Sequence, residues 1–153
     1  MPIDVSTDIV IARPIAVVSG YAADPANAPE WYRNIQSATW QTVPPVRVGS
    51  RIAFVARFLG RRLEYVYEVT ELVPGERLVM RTEQGPFPME TTYTWADRSD
   101  SATAMTLRNR GEPAGFASVA APVMAAAVRR ATQADLRQLK SLLESDRFAQ
   151  PTT

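Results

Sequence analysis

The chain has 153 residues, of which 46% are hydrophobic and 22% charged, and its formal net charge is +1. These values are typical of a globular domain with its own core, and nothing in them points to nucleic acid or to an anionic membrane surface. The absence of histidine and cysteine excludes Ser-His and Cys-His nucleophiles, disulfides and the usual zinc sites. We therefore expect no metal and no cofactor.

The beginning of the chain carries no recognisable targeting signal. Residues 1–4 lack the basic and apolar regions of a secretory signal, and no apolar run approaches the length of a membrane span. The expected location is the cytoplasm, without membrane insertion.

The first third of the chain predicts one strand and two short helices. Apolar residues occupy every second position from Val5 to Ile11, apart from Thr7, which is typical of a strand with one buried face. Pro14 suits the first turn of a helix over residues 15–23. A second helix is predicted over residues 27–35, with Asn27 as its N-cap and with Trp31 and Ile35 on its inner face.

From Ser37 onward the apolar period changes to two, which predicts six further strands. Turn residues such as Gly60 and Pro74-Gly75 separate them, and the short connections indicate an antiparallel meander. One face of this sheet is apolar and aromatic, whereas the other carries mainly Arg, Glu and Thr. The predicted inner face comprises Ile52, Phe54, Phe58, Leu63, Tyr65, Tyr67, Leu78, Met80, Tyr93, Trp95, Met105 and Leu107.

A long helix is predicted over residues 116–143, on the order of 40 Å in length. Val128, Leu136 and Leu139 belong to its apolar stripe, which must be buried against the sheet. Its N-terminal half is rich in alanine, so that half either packs tightly on the sheet or roofs a cavity, and Pro122 favours the cavity.

The predicted fold class is α+β, with a seven-stranded curved antiparallel sheet wrapped around the C-terminal helix and two short helices between strands 1 and 2. Residues 1–147 are expected to form a single domain, followed by a flexible tail over residues 148–153.

The order of elements, with the segments DPANAPEW at 24–31, VGSR at 48–51 and VTELVPG at 69–75, resembles the START-like, or SRPBCC, superfamily. The chain is most similar to the polyketide cyclase/dehydrase-like and bacterial branches. The resemblance covers nearly the whole chain, and it implies a helix-grip fold with a deep apolar cavity between the sheet and the C-terminal helix. Members of the superfamily bind lipids, hormones or polyketides, and a few catalyse cyclisation and dehydration.

Several side chains in the inward register could contact a ligand or simply fill the core. As a group, the aromatic strand residues Tyr65, Tyr67, Tyr93 and Trp95 favour a cavity, because their hydroxyl and indole N–H groups need hydrogen-bond partners when they are buried. Asn109 could bind a ligand carbonyl or cap the turn at Gly111, and Trp31 could stack on a ligand or anchor its helix. The candidate ligand-binding residues are Trp31, Phe54, Tyr65, Tyr67, Met80, Thr91, Tyr93, Trp95, Asn109 and Met124.

The charged strand residues fall in the outward register, where cross-strand pairs account for them. Glu71 and Glu112 are expected to be solvated, and Arg57 or Arg108 would face inward only if the register slipped by one residue. No inward set of acid, base and oxyanion site can be recognised.

The principal hypothesis is therefore a binding protein for a small hydrophobic or aromatic molecule, polyketide- or lipid-like. The alternative is a polyketide aromatase/cyclase or dehydrase without metal or cofactor, and a partner-binding module comes third. A homodimer is left open.

Overall fold

One antiparallel sheet and one long helix dominate the computed structural model, which describes residues 3–58, 60–83, 88–112 and 121–145. A short 3-10 turn, Pro25–Asn27, precedes the second helix. The predicted tail, 148–153, and residues 116–120 of the predicted long helix lie outside the described residues. The elements are β1 Ile3–Ile11, α1 Ile15–Ala22, α2 Ala28–Trp31, β2 Ile35–Trp40, β3 Arg51–Phe58, β4 Arg61–Val73, β5 Arg77–Thr82, β6 Met89–Ser99, β7 Ala102–Gly111 and α3 Ala121–Leu143.

The strand order is β1-β7-β6-β5-β4-β3-β2, with every neighbouring pair antiparallel. Strands β2 to β7 form a meander, and β1 returns to pair with β7. Gly60 and Gly75 have φ of +77° and +76°, which suits the turns that follow β3 and β4. The predicted α+β architecture, with a seven-stranded curved sheet and a C-terminal helix, is confirmed.

The predicted inward register is also found in the buried face of the sheet. Ile52, Leu78 and Met105 are at most 2% exposed. Glu71, which shares the parity of the buried Val69, is nevertheless exposed, because a β-bulge interrupts the pairing of β4 with β5 between these two residues. Its carboxylate lies 3.4 Å from the guanidinium of Arg77.

Helix α3 covers the apolar face with its predicted stripe. Leu136, Leu139 and Leu143 are at most 1% exposed, and burying each stabilises the fold by roughly 1.5–3 kcal/mol. The end of the helix is tied to β1, because the Lys140 ammonium donates to the Val10 carbonyl at 2.7 Å and to Glu144 at 2.6 Å. Lys140 is therefore remote from the inner face of the sheet.

The second short helix is shorter than predicted. It ends at Trp31, and Ile35 belongs to β2, where it pairs with Ala56 of β3. The pairing between strands outweighs the local helical pattern at this point. Asn27 is not a side-chain N-cap; its amide donates to the Tyr21 carbonyl at 3.1 Å.

The outer face carries the expected ion pairs. Arg51 and Glu68 lie opposite each other on β3 and β4 at 4.0 Å, and Arg108 makes two hydrogen bonds to Asp4 across β7 and β1. Arg108 therefore faces outward, and so does the exposed Arg57. Within the ranges described, no helix has the length and apolar character needed to cross a membrane.

Candidate functional site

A cavity of about 180 Å³ lies between the concave face of the sheet and α3, and it is partly open to solvent. This volume is far more than one water molecule requires. Most of its lining is apolar. The structure places eight of the ten predicted site residues along it, namely Phe54, Tyr65, Tyr67, Met80, Thr91, Tyr93, Asn109 and Met124. That these side chains bind a ligand stays a prediction.

The two predicted tryptophans do not line this cavity. Trp31 is fully buried and packs on Tyr32 and Tyr93, with ring centroids 4.1 Å and 5.7 Å away. Trp95 stacks edge-on against Tyr93 and borders a separate groove formed by the end of α1 and the loops at Pro44 and Pro74. Trp31 therefore anchors its helix to the core.

The wall formed by the middle of the sheet is aromatic. Phe54 on β3 pairs directly with Tyr65 on β4, and Tyr67 follows two residues later on the same face. Their ring centroids are 5.4–6.1 Å apart, with edge-on or tilted geometry. Such rings offer a flat apolar surface whose phenol groups can also make hydrogen bonds.

A chain of hydrogen bonds crosses the cavity floor from the sheet to the helix. The Thr91 hydroxyl donates to the Asn109 side-chain oxygen at 2.7 Å, and the Asn109 amide donates to the Thr132 hydroxyl at 3.4 Å. The Tyr67 hydroxyl lies 3.4 Å from that of Thr91. Because Thr91 has one proton and gives it to Asn109, Tyr67 is the donor in this contact. Asn109 thus joins sheet and helix instead of capping the turn at Gly111.

A second polar contact, between two phenol hydroxyls, lies where the segment after α2 meets the sheet. The hydroxyls of Tyr32 and Tyr93 are 2.5 Å apart. Burial raises the pKa of both phenols, and that of Tyr65, above the ordinary value of 10.0. All three phenols therefore keep their protons at neutral pH and are able to donate hydrogen bonds.

Asp135 supplies the only formal charge among the described residues that line the cavity. It lies on α3, is 3% exposed, and its Oδ1 accepts a hydrogen bond from the Arg33 backbone N–H at 3.0 Å. Burial raises the pKa of its carboxyl from 3.8 to about 6, although the Arg33 N–H opposes this shift. The carboxylate is therefore mostly ionised above pH 7.

Asp135 was not predicted from the sequence, and Tyr32, which was expected near the mouth of the cavity, was not among the candidate ligand-binding residues. A signal for Asp135 existed, because position 135 lies three residues after Thr132 and four before Leu139, within the apolar stripe of the helix. Of the alanine-rich N-terminal half, the described part contributes Met124 to the cavity, but not its alanines. Ala121 and Ala125 pack with Ile3 and Val5 of β1, whereas the helix side of the cavity is formed by Met124, Val128, Ala131, Thr132 and Asp135.

The site has the chemistry of an apolar pocket with a few hydrogen-bonding groups. It offers phenol donors, an amide, threonine hydroxyls and one carboxylate. In the part of the chain that the structure describes, no group of three or more acidic residues is placed to hold a metal ion.

Comparisons with known proteins identify the family of the chain and show structures with the same fold. The profile of the family described as polyketide cyclase / dehydrase and lipid transport matches residues 2–144. No curated protein matches the chain in a sequence comparison.

Three solved structures illustrate the shared fold. The Zhui aromatase/cyclase from Streptomyces sp. R1128 superposes with a TM-score of 0.80 at 16% identity, covering 94% of each chain. A START superfamily protein from Mycobacterium smegmatis gives 0.69 at 14% identity, covering 92% of this chain and 94% of that one. Major latex-like protein 151 from Panax ginseng gives 0.72 at 11% identity, covering 94% and 99%. At these identities the likeness concerns the fold alone.

Proposed function

Because the chain belongs to the polyketide cyclase / dehydrase and lipid transport family, we propose that it binds a small hydrophobic or aromatic molecule in the cavity between the sheet and α3. The observation that carries the proposal is the cavity itself, which lies within an otherwise packed core and has a largely apolar lining. Pockets of this kind, with a few convergent polar groups, are typical of small-molecule sites.

The lining favours a molecule with a flat ring system and at least one polar substituent. The rings of Phe54, Tyr65 and Tyr67 provide stacking surface, and buried phenols provide donors to a carbonyl or hydroxyl oxygen. Asn109 and Thr91 are hydrogen-bonded to each other, and this bond fixes the shape of the cavity wall that they form.

A substitution that fills the cavity tests the proposal. Ala131 lines the cavity on α3, whereas Ala126 lies on the exposed side of the same helix. The probe is N-phenyl-1-naphthylamine, whose fluorescence rises in an apolar site. We expect saturable binding to the wild type, at least about tenfold weaker binding to Ala131→Phe because the added ring occupies the cavity, and unchanged binding to Ala126→Phe.

Two results would contradict the proposal. One is the absence of saturable binding of any neutral aromatic probe to the wild type. The other is equal binding by Ala131→Phe and Ala126→Phe, since that would place the probe elsewhere.

A second candidate function is cofactor-independent cyclisation of a poly-β-ketone, and the ionised carboxylate of Asp135 inside the cavity favours it. The carboxylate would take a proton from a methylene group between two carbonyls. The resulting enolate carbon would form a bond to a ketone carbon, and the new alkoxide would recover the proton from Asp135. Protonated phenols such as Tyr93 would donate hydrogen bonds to the oxygen that becomes negative.

Product analysis tests this second function. A reactive poly-β-ketone is incubated with the wild type, with Asp135→Asn and with Tyr93→Phe. The mechanism predicts that the wild type shifts the product ratio towards one cyclised product and that Asp135→Asn abolishes the shift. An unchanged ratio with the wild type would argue against catalysis and leave binding untouched.

A further inference from the structure

The charge on Asp135 is not required by the fold. Its one hydrogen bond within the described chain, from the Arg33 N–H at 3.0 Å, needs only an acceptor oxygen, which an asparagine amide would supply. A carboxylate that is 3% exposed pays a desolvation penalty that an amide avoids. The presence of a charge at this position therefore calls for a partner.

The described residues do not supply that partner. No ion pair within the described ranges includes Asp135. The side chain of Arg33 is exposed, and its positive charge only partly offsets the effect of burial on the pKa of Asp135. Lys140, five residues further along α3, is bound to Val10 and Glu144.

The other groups that face Asp135 across the cavity are phenols. Tyr32 follows α2, Tyr65 lies on β4 and Tyr93 on β6, and the negative charge of Asp135 contributes to the raised pKa of each. The faces of aromatic rings attract cations, and the attraction grows when water is excluded. A buried carboxylate and several aromatic rings thus line the same cavity, and both kinds of group favour a positive charge near Asp135.

We infer that the ligand of this cavity carries a protonated amine on its apolar body and that the ammonium group pairs with the Asp135 carboxylate among the rings of Tyr32, Tyr65 and Tyr93. This inference rests on the proposed function and specifies its ligand class. An ammonium group would satisfy the buried carboxylate by a charge-assisted hydrogen bond. A ligand with a carboxylate, such as a fatty acid, would bring a second negative charge to the same end and is disfavoured.

Three probes with the same two-ring body separate charge from shape. They are 2-(1-naphthyl)ethylamine, 2-(1-naphthyl)ethanol and 1-naphthaleneacetic acid, and their dissociation constants are measured by isothermal titration calorimetry at pH 7.5. We expect the amine to bind about tenfold more tightly than the alcohol, and the acid to bind more weakly than the alcohol.

Variants then locate the effect. Asp135→Asn retains the acceptor for the Arg33 N–H, and it should bring the affinities for amine and alcohol within about threefold of each other by weakening the amine. Asp97→Asn, an exposed carboxylate on β6, should leave the tenfold preference intact. The preference in the wild type should also shrink between pH 7.5 and pH 5, because Asp135 takes up a proton while the amine keeps its charge.

The outcomes distinguish the two proposals. If the alcohol binds the wild type as tightly as the amine, or if Asp135→Asn keeps the preference, the amine inference is overturned while binding of an aromatic molecule stands. If none of the three probes binds, both the inference and the proposed function are contradicted.

Discussion

Replacing Asp135 with asparagine should stabilise the protein at neutral pH. The folded-state pKa of the carboxyl is about 6 against an ordinary value of 3.8, so the native state binds its proton more tightly than the unfolded chain does. Because each pH unit of this difference corresponds to about 1.36 kcal/mol, ionised Asp135 reduces the free energy of unfolding by up to about 3 kcal/mol at pH 7.5.

The dependence on pH gives the prediction its sign. For an acid whose pKa is raised on folding, the destabilisation is absent below the unfolded pKa and grows as the pH rises from 3.8 to about 6, after which it is constant. Asparagine imitates the protonated acid and keeps the acceptor for the Arg33 N–H. The gain from Asp135→Asn should therefore be about 3 kcal/mol at pH 7.5 and about 0.5 kcal/mol at pH 4.0.

Urea unfolding followed by circular dichroism measures both values. Asp97→Asn, on the exposed part of β6, serves as the control and should change the free energy of unfolding by less than about 0.5 kcal/mol at either pH. A variant Asp135→Asn that is less stable than the wild type at pH 7.5, or whose gain is the same at both pH values, would contradict this prediction. Such a gain is the trade-off expected where a charge kept for function lowers the stability of the fold.

Two further predictions concern packing and the hydrogen-bond chain. Leu139→Ala, at a fully buried position of α3, should lower the free energy of unfolding by about 2–5 kcal/mol in urea. Val123→Ala, on the exposed side of the same helix, should change it by less than about 0.5 kcal/mol, and similar values for both variants would contradict the packing of α3. Asn109→Ala removes the hydrogen-bond partner of both Thr91 and Thr132 and should lower the free energy of unfolding by about 1–3 kcal/mol. An unchanged melting temperature in thermal unfolding would mean that these hydrogen bonds do not stabilise the fold.

The strands were predictable because alternation of apolar and polar residues determines which face is buried. Phe54, Tyr65 and Met80 could be assigned to the inner face on this basis alone. The alternation fails where the ladder is irregular. The bulge between Val69 and Glu71 turns the glutamate outward, and the local alternation of residues does not predict this bulge.

The end of α2 was predicted wrongly because the strand that pairs with the following residues is distant in sequence. Residues 32–35 continue a plausible helix, but Ile35 gains a strand partner in Ala56, 21 residues further on. Local propensity does not include that pairing.

The cavity lining was only partly predictable. Strand residues follow from parity, but which of them touch empty space depends on where α3 lies. Trp31 and Trp95 are of a residue type that is common in ligand pockets, but both are buried in the core. Asp135 was overlooked because a charged side chain was not considered for the buried stripe of the helix, although its spacing from Thr132 and Leu139 places it there.

Binding of an aromatic molecule between the sheet and α3 can be measured at the methionine methyl groups. The chain has five methionines; Met80, Met89 and Met124 line the cavity, whereas Met105 is fully buried elsewhere in the core. With ¹³C-methyl methionine, each signal is assigned by a Met→Leu variant, and 2-(1-naphthyl)ethanol is titrated into the protein. We expect saturable shifts of the three cavity methyls with one dissociation constant and little change at Met105. Saturable binding that leaves those three signals in place would show that the molecule binds elsewhere.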